Sequence, residues 1–175
     1  MSKEQVVIAL SLIALALQAS AIATDYWSVR AQDSGINNIT LNLHMGLWKF
    51  CADGGNGNSD LTGCKHLPPE NDRFFPKNSL YAARVFAILG VILVFCAAGC
   101  SMYMKTSKQC QLMCLIAGGI SSLIAMGIWA KEMLRLQVMG ATELKFNPGY
   151  SFYLNLAGGA FALVAAAKLR ASVSA

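Results

Sequence analysis

Six cysteines carry the most versatile side-chain chemistry in this 175-residue chain, and their spacing separates them into two groups. Cys51 and Cys64 bracket the glycine-rich run at residues 54–58. Outside a cell, two thiols joined by a short loop are expected to oxidise, and on the chain-entropy model such a loop contributes about 3 kcal/mol to stability. Neither cysteine belongs to a CxxC motif, so the pair is better suited to a structural disulfide than to thiol exchange.

The other four cysteines form two pairs, Cys96 with Cys100 and Cys110 with Cys114, and the members of each pair are four residues apart. All lie within or next to long apolar segments. Their simplest interpretation is as small apolar side chains that pack between helices. Cys100 and Cys110 lie nearest to the ends of those segments, where S-palmitoylation takes place, and they are candidate acylation sites.

The remaining candidates for chemistry do not form a recognisable catalytic or metal site. His44 and His66 lie near the cysteine pair, but their spacing does not match a zinc site and an oxidised pair cannot bind metal. They are expected to be loop histidines. The chain has no HExxH helix and no phosphate-binding loop. A membrane thiol oxidoreductase is the enzyme class that six cysteines would permit, but the spacing argues against it, and we expect no enzyme, cofactor or metal.

The apolar residues stand in blocks that are long enough to cross a bilayer. Hydrophobic residues make up 55% of the chain and charged residues 13%, outside the usual range of a soluble domain. A helix needs about 20 apolar residues to cross the hydrocarbon core. The predicted spans are residues 6–23, 80–104, 110–130 and 150–167. The first could instead be a cleaved signal peptide, but its apolar run is longer than usual and leads into the interfacial pair Tyr26 and Trp27.

The charges predict the topology and argue against nucleic acid as a partner. The net charge is +5, yet the basic residues are scattered and several flank the apolar blocks. Lys105 and Lys108 lie between the second and third spans without an acid, and Lys168 and Arg170 follow the fourth span. By the positive-inside rule these ends and both termini are cytoplasmic. The loops at residues 25–79 and 131–149 are then extracellular.

The first outer loop has the pattern of a small antiparallel sheet. Apolar residues alternate with polar ones along residues 39–47, which is typical of a strand with one buried face. The glycine-rich run then predicts a loose hairpin turn and a returning strand. Asn38 begins an N-glycosylation sequon with Thr40 and is a candidate glycosylation site.

Three further features concern the spans and the second outer loop. Arg84 lies close to the outer end of the second span, where it either snorkels to water or fixes the sheet to the helices through backbone carbonyls or Asp25. Paired glycines in the third and fourth spans, at 118–119 and 158–159, predict close helix approach. The third span is expected to continue as an amphipathic helix to about Leu136.

The residues above, taken together, resemble the claudin superfamily, which includes claudins, peripheral myelin and epithelial membrane proteins, a lens fibre membrane protein and calcium-channel gamma subunits. The resemblance covers all four spans. It rests on these residues: Trp27, Gly46, Leu47, Trp48, Cys51, Cys64 and Arg84. It implies a left-handed four-helix transmembrane bundle topped by a mostly antiparallel extracellular β-sheet, with Cys51 and Cys64 joined and Trp27, Leu47 and Trp48 anchoring the sheet.

The resemblance implies two alternative functions for a plasma-membrane protein without catalytic residues. One is cell–cell adhesion or junctional membrane organisation through its extracellular sheet and helix faces, and the other is an auxiliary subunit that modulates an ion channel or receptor. The short second outer loop and the Val173-Ser174-Ala175 end depart from claudins. The Asn38 sequon and the stretch 64–70 are closer to the channel-associated branch.

Overall fold

The fold is described by a computed structural model, which describes residues 3–34, 39–54, 63–67, 76–103, 108–132, 135–138 and 142–173. Within these residues, four helices are long and apolar enough to cross a membrane. They are α1 (Lys3–Ala23), α2 (Lys77–Tyr103), α3 (Lys108–Glu132) and α4 (Tyr150–Val173). At a rise of 1.5 Å per residue, each is long enough to cross a hydrocarbon core of about 30 Å.

Small residues bring the helices close together, as the paired glycines predict. A Cβ atom added to Gly118 of α3 would lie 3.1 Å from the Gly90 carbonyl oxygen of α2. A Cβ on Gly119 would lie equally close, 3.1 Å, to the Gly159 carbonyl oxygen of α4. On the other side of α4, a Cβ on Gly158 would lie 2.6 Å from Cγ of Gln18 in α1. Membrane helices have no hydrophobic driving force for association, because lipid is as apolar as their side chains. Close packing of this kind holds them together instead.

The bundle exposes large apolar side chains on its outside and buries several polar side chains between its helices. Val85 and Phe95 of α2 expose 60% and 62% of their surface, although both are large and apolar. Gln18, Ser122 and Asn155 are fully buried between the helices. The Asn155 side-chain amide donates a hydrogen bond to the Ser122 carbonyl oxygen at 3.1 Å, which joins α4 to α3. Apolar residues that would be misplaced in water are suited to lipid contact on these faces.

A β-sheet covers the end of the bundle where α1 and α3 finish. Its strands are β1 (Ser28–Ser34), β2 (Ile39–Met45), β3 (Lys49–Gly54), β4 (Gly63–His66) and the two-residue β7 (Asn147–Pro148). The strand order is β4-β3-β2-β1-β7, and every neighbouring pair is antiparallel. A separate hairpin pairs β5 (Arg135–Val138) with β6 (Thr142–Lys145). The sheet therefore contains strands from both segments between helices on this side.

The sheet is larger than the alternation pattern predicts, and the second loop differs from its prediction. The strand expected over residues 39–47 ends at Met45, and β3 returns directly after Gly46-Leu47-Trp48. The strand predicted to return after the glycine-rich run is β4, which pairs with β3. The prediction that the third helix continues to about Leu136 is wrong: α3 ends at Glu132, and Arg135 begins a strand. Here pairing of β5 with β6 satisfies the backbone and outweighs the local helical pattern.

Candidate functional site at the junction of sheet and bundle

The C-terminal end of α1 is closed by two tryptophans, each of which directly precedes a strand of the sheet. The Trp27 indole N–H donates to the Ala21 carbonyl oxygen at 2.7 Å, and the Trp48 indole N–H donates to the Ile22 carbonyl oxygen at 3.0 Å. The last carbonyls of a helix have no partner within the helix, so these indoles supply the missing donors. The sheet and the helix thus satisfy each other's polar groups.

Trp27 is also the centre of an aromatic cluster between the helices. Its ring is fully buried and lies 5.3 Å from the Trp129 ring of α3 and 6.4 Å from the Phe152 ring of α4, between centroids. The Trp129 indole N–H donates to the Ser28 hydroxyl oxygen at 2.8 Å. Trp129 therefore ties α3 to the first residue of β1. Nothing in the sequence indicated this contact, because a tryptophan at the end of an apolar span is equally suited to the membrane interface.

The segment Gly46-Leu47-Trp48 forms the tight connection between β2 and β3. The Gly46 N–H donates to the Lys49 carbonyl oxygen at 2.8 Å, and a Cβ at Gly46 would collide with the Asp25 backbone. Only glycine permits this close approach. Leu47 is fully buried in the same apolar cluster as Trp27. The connection is therefore pressed against the end of α1 and is not a free hairpin tip.

Arg84 joins α2 to this connection and to the segment after β4. Its Nε donates to the Leu47 carbonyl oxygen at 2.8 Å, and its Nη2 donates to the Leu67 carbonyl oxygen at 2.7 Å. The guanidinium carbon lies 4.9 Å from the centroid of the Trp48 ring and 5.5 Å from that of Tyr81. Arg84 is buried, and its fork of donors can bridge two carbonyls where a lysine could reach one. Of the two alternatives for Arg84, the contacts match the one in which carbonyls fix the sheet.

A disulfide holds the edge of the sheet. Cys51 of β3 and Cys64 of β4 lie directly opposite each other, with their Cα atoms 4.1 Å apart, and their sulfur atoms are bonded. Cys51 is buried and Cys64 is exposed. After β4, the Leu67 N–H donates to the Trp48 carbonyl oxygen at 2.9 Å. The bonded edge strand is thereby attached to the same segment that Arg84 holds.

The two histidines lie in strands, so the expectation of loop histidines is wrong. His44 of β2 is buried and stacks on the Tyr26 ring, with ring centroids 4.3 Å apart, and its Nδ1 lies 3.5 Å from the Asp53 carboxylate. His66 is in β4 and exposed. Sequence alternation assigned His44 to the polar face of its strand. The stack on the Tyr26 ring accounts for its burial there. Among the described residues, no group of histidines, cysteines and acids could hold a metal ion.

The two cysteines predicted as acylation sites lie away from this junction. Cys100 is half-buried near the end of α2 that is far from the sheet, and Cys110 is exposed in the first turn of α3. Asn38 lies outside the described residues. The junction and the sheet edge beside it therefore contain all residues of the family motif, and Cys100 and Cys110 lie at the other end of the bundle.

The arrangement at this junction accompanies a match to a known protein family. A comparison with sequence models of protein families matches residues 4–167 to the PMP-22/EMP/MP20/Claudin family. The match includes every motif residue at the junction and most of all four helices. The chain is thus a tetraspan membrane protein that belongs to the PMP-22/EMP/MP20/Claudin family.

Proposed function

We propose that this chain is a non-enzymatic protein of the plasma membrane that acts in cell–cell adhesion or junctional membrane organisation. Both termini lie in the cytoplasm, and the sheet faces the cell exterior. The chain acts through contacts that its outer sheet makes with other copies of itself. Its family membership supports a role at junctions.

The observation that carries this proposal is a rigidly held sheet with an exposed edge. All four residues of β4 are exposed, although the strand is covalently bonded to β3. An edge strand offers unpaired N–H and C=O groups to another chain. Because Arg84 and the indoles of Trp27 and Trp48 fix the sheet to the helices, a contact at the edge would be transmitted to the bundle.

A second candidate is an auxiliary subunit of a channel or receptor, and the charge of the same edge favours it. Lys49 lies opposite His66 in the pairing of β3 with β4, and Lys65 lies beside them, so the described part of this edge is basic. A basic edge is complementary to an acidic partner and repels its own copy. The sheet would modulate such a partner if it bound the partner's two conformational states with different affinities.

An aggregation assay with co-purification distinguishes the two candidates. Non-adherent cells that express only this chain should cluster with one another, and clustering should fall severalfold for Lys65→Pro, which disrupts the edge strand β4. Gln109→Pro, in the first turn of α3 at the other end of the bundle, where a helix tolerates proline, should cluster like the wild type. Stoichiometric recovery of a channel from native membranes, without clustering, would support the auxiliary subunit and refute adhesion.

A further inference from the structure

A small groove opens between α1 and α4 at the end of the bundle farthest from the sheet. Its volume is about 240 Å³, and it is lined by Val6 of α1 and by Lys168, Ala171 and Ser172 of α4. Behind it, Val7 and Leu169 are buried in a shared apolar cluster, so the two helices are in firm contact there. The groove is therefore a feature of packed helices rather than a gap between loose ends.

The position of the groove corresponds to the level of lipid headgroups. Val6 lies in the first turns of α1, and Ser172 is the last residue of the apolar span of α4. Residues at the ends of a membrane span lie where acyl chains meet headgroups. Val6 and Ala171 offer apolar walls to an acyl chain, while Lys168 can extend its ammonium group to the headgroup layer.

The charges around the groove favour an anion. Lys168 is exposed, and Glu4, the described acid in the first turn of α1, is paired with the Lys108 ammonium at 3.3 Å. Ser172 donates its hydroxyl proton to the Leu169 carbonyl oxygen at 2.7 Å, so the groove's side-chain donor is the Lys168 ammonium. A phosphate oxygen is the acceptor that such a cation binds at a membrane surface.

We infer that this groove is a binding site for an anionic phospholipid, with the acyl chain against Val6 and Ala171 and the headgroup phosphate on Lys168. Basic pockets between membrane helices bind anionic headgroups in this way. The site is remote from the sheet, so it is independent of the proposed adhesive role. If the sheet faces outward, the groove faces the cytoplasmic leaflet, where anionic lipids are concentrated.

Native mass spectrometry of the full chain in detergent tests this inference with two lipids of identical acyl chains, phosphatidic acid and phosphatidylcholine. The wild type should bind phosphatidic acid more tightly. Lys168→Gln should weaken phosphatidic acid binding about fivefold, the effect of one cation near a membrane surface, and Lys168→Arg should restore it. The matched control Lys145→Gln removes an exposed cation from the sheet side and should change nothing.

A second variant keeps the charge and fills the groove. Ala171→Leu places a good helix former at an exposed helical position and should weaken binding of phosphatidic acid by severalfold. Equal binding of the two lipids by the wild type, or equal losses in Lys168→Gln and Lys145→Gln, would overturn the inference. Displacement of phosphatidic acid by millimolar inorganic phosphate would assign the site to free phosphate and would equally overturn it.

Discussion

At the scale of single residues, the junction depends on polar groups that satisfy one another away from water. Arg84 donates to the Leu47 and Leu67 carbonyl oxygens, and Trp27 and Trp48 donate to the last carbonyls of α1. A buried polar group without a partner destabilises a protein by about 1–3 kcal/mol, and a charged one by more. These side chains therefore determine how firmly the sheet is held.

Arg84→Met should destabilise the protein by about 2–4 kcal/mol, because it leaves two buried carbonyls without a donor. Arg84→Lys should fall between this variant and the wild type, since one ammonium cannot bridge both carbonyls in the same geometry. Thermal unfolding in detergent, followed by tryptophan fluorescence, reports on both variants because Trp27 and Trp48 lie at the junction. If Arg84→Met unfolds at the wild-type temperature, Arg84 does not hold the sheet.

The cysteines far from the sheet allow a prediction about modification. We propose that Cys100 and Cys110 are S-palmitoylated, since both lie at the end of the bundle opposite the sheet. The double variant Cys100→Ser with Cys110→Ser should lose capture on a hydroxylamine-dependent thiol resin. Cys96→Ser, which changes an exposed cysteine deeper in α2, should retain it. Equal loss in both variants would refute this assignment.

At the scale of secondary structure, the apolar blocks of the sequence predicted all four helices, whereas local alternation predicted the strands incompletely. Each apolar block became a helix because the bilayer requires every backbone group to be bonded within its own segment. Strand β1 has no clear alternation in its sequence Ser28–Ser34, and its position comes from pairing with β2 and β7. The hairpin of β5 and β6 was likewise not predicted, because the local sequence pattern there indicated a helix. Such pairings are tertiary contacts, which local residue preference does not encode.

Close contact between α2 and α3 leads to opposite predictions for two glycines of α3. Gly118→Ala should destabilise the bundle, because its Cβ would lie 2.8 Å from Cγ2 of Val94 and 3.1 Å from the Gly90 carbonyl oxygen. Gly127→Ala should be neutral or stabilising by up to about 1 kcal/mol, because nothing lies within 4 Å of its Cβ and alanine favours a helix. Thermal unfolding in detergent compares the two. A similar change in both variants would show that α2 and α3 do not depend on backbone contact at Gly118.

At the scale of the whole molecule, the sheet and the four helices form one connected structure. The Gly149 N–H donates to the Trp27 carbonyl oxygen at 3.0 Å, and the Ser151 N–H donates to the Tyr26 carbonyl oxygen at 3.1 Å. The start of α4 is thus bonded to the segment that follows α1. The family resemblance predicted that Trp27, Leu47 and Trp48 anchor the sheet. For Arg84 the sequence left two alternatives, which were snorkelling to water and fixing the sheet to the helices. The contacts of Trp129 and Ser151 were not predicted, because their partners are more than 100 residues away in the chain.

The central claim is that a disulfide-bonded sheet faces the cell exterior while the opposite end of the bundle faces the cytoplasm. Labelling of intact cells with a membrane-impermeant maleimide, analysed by mass spectrometry of the cysteine peptides, tests it most directly. We predict that Cys51 and Cys64 are labelled only after a membrane-impermeant reductant is added, and that Cys110 is labelled only after the cells are permeabilised and its thioester is cleaved. Labelling of Cys110 in intact cells, or of Cys51 and Cys64 without reductant, would contradict the claim.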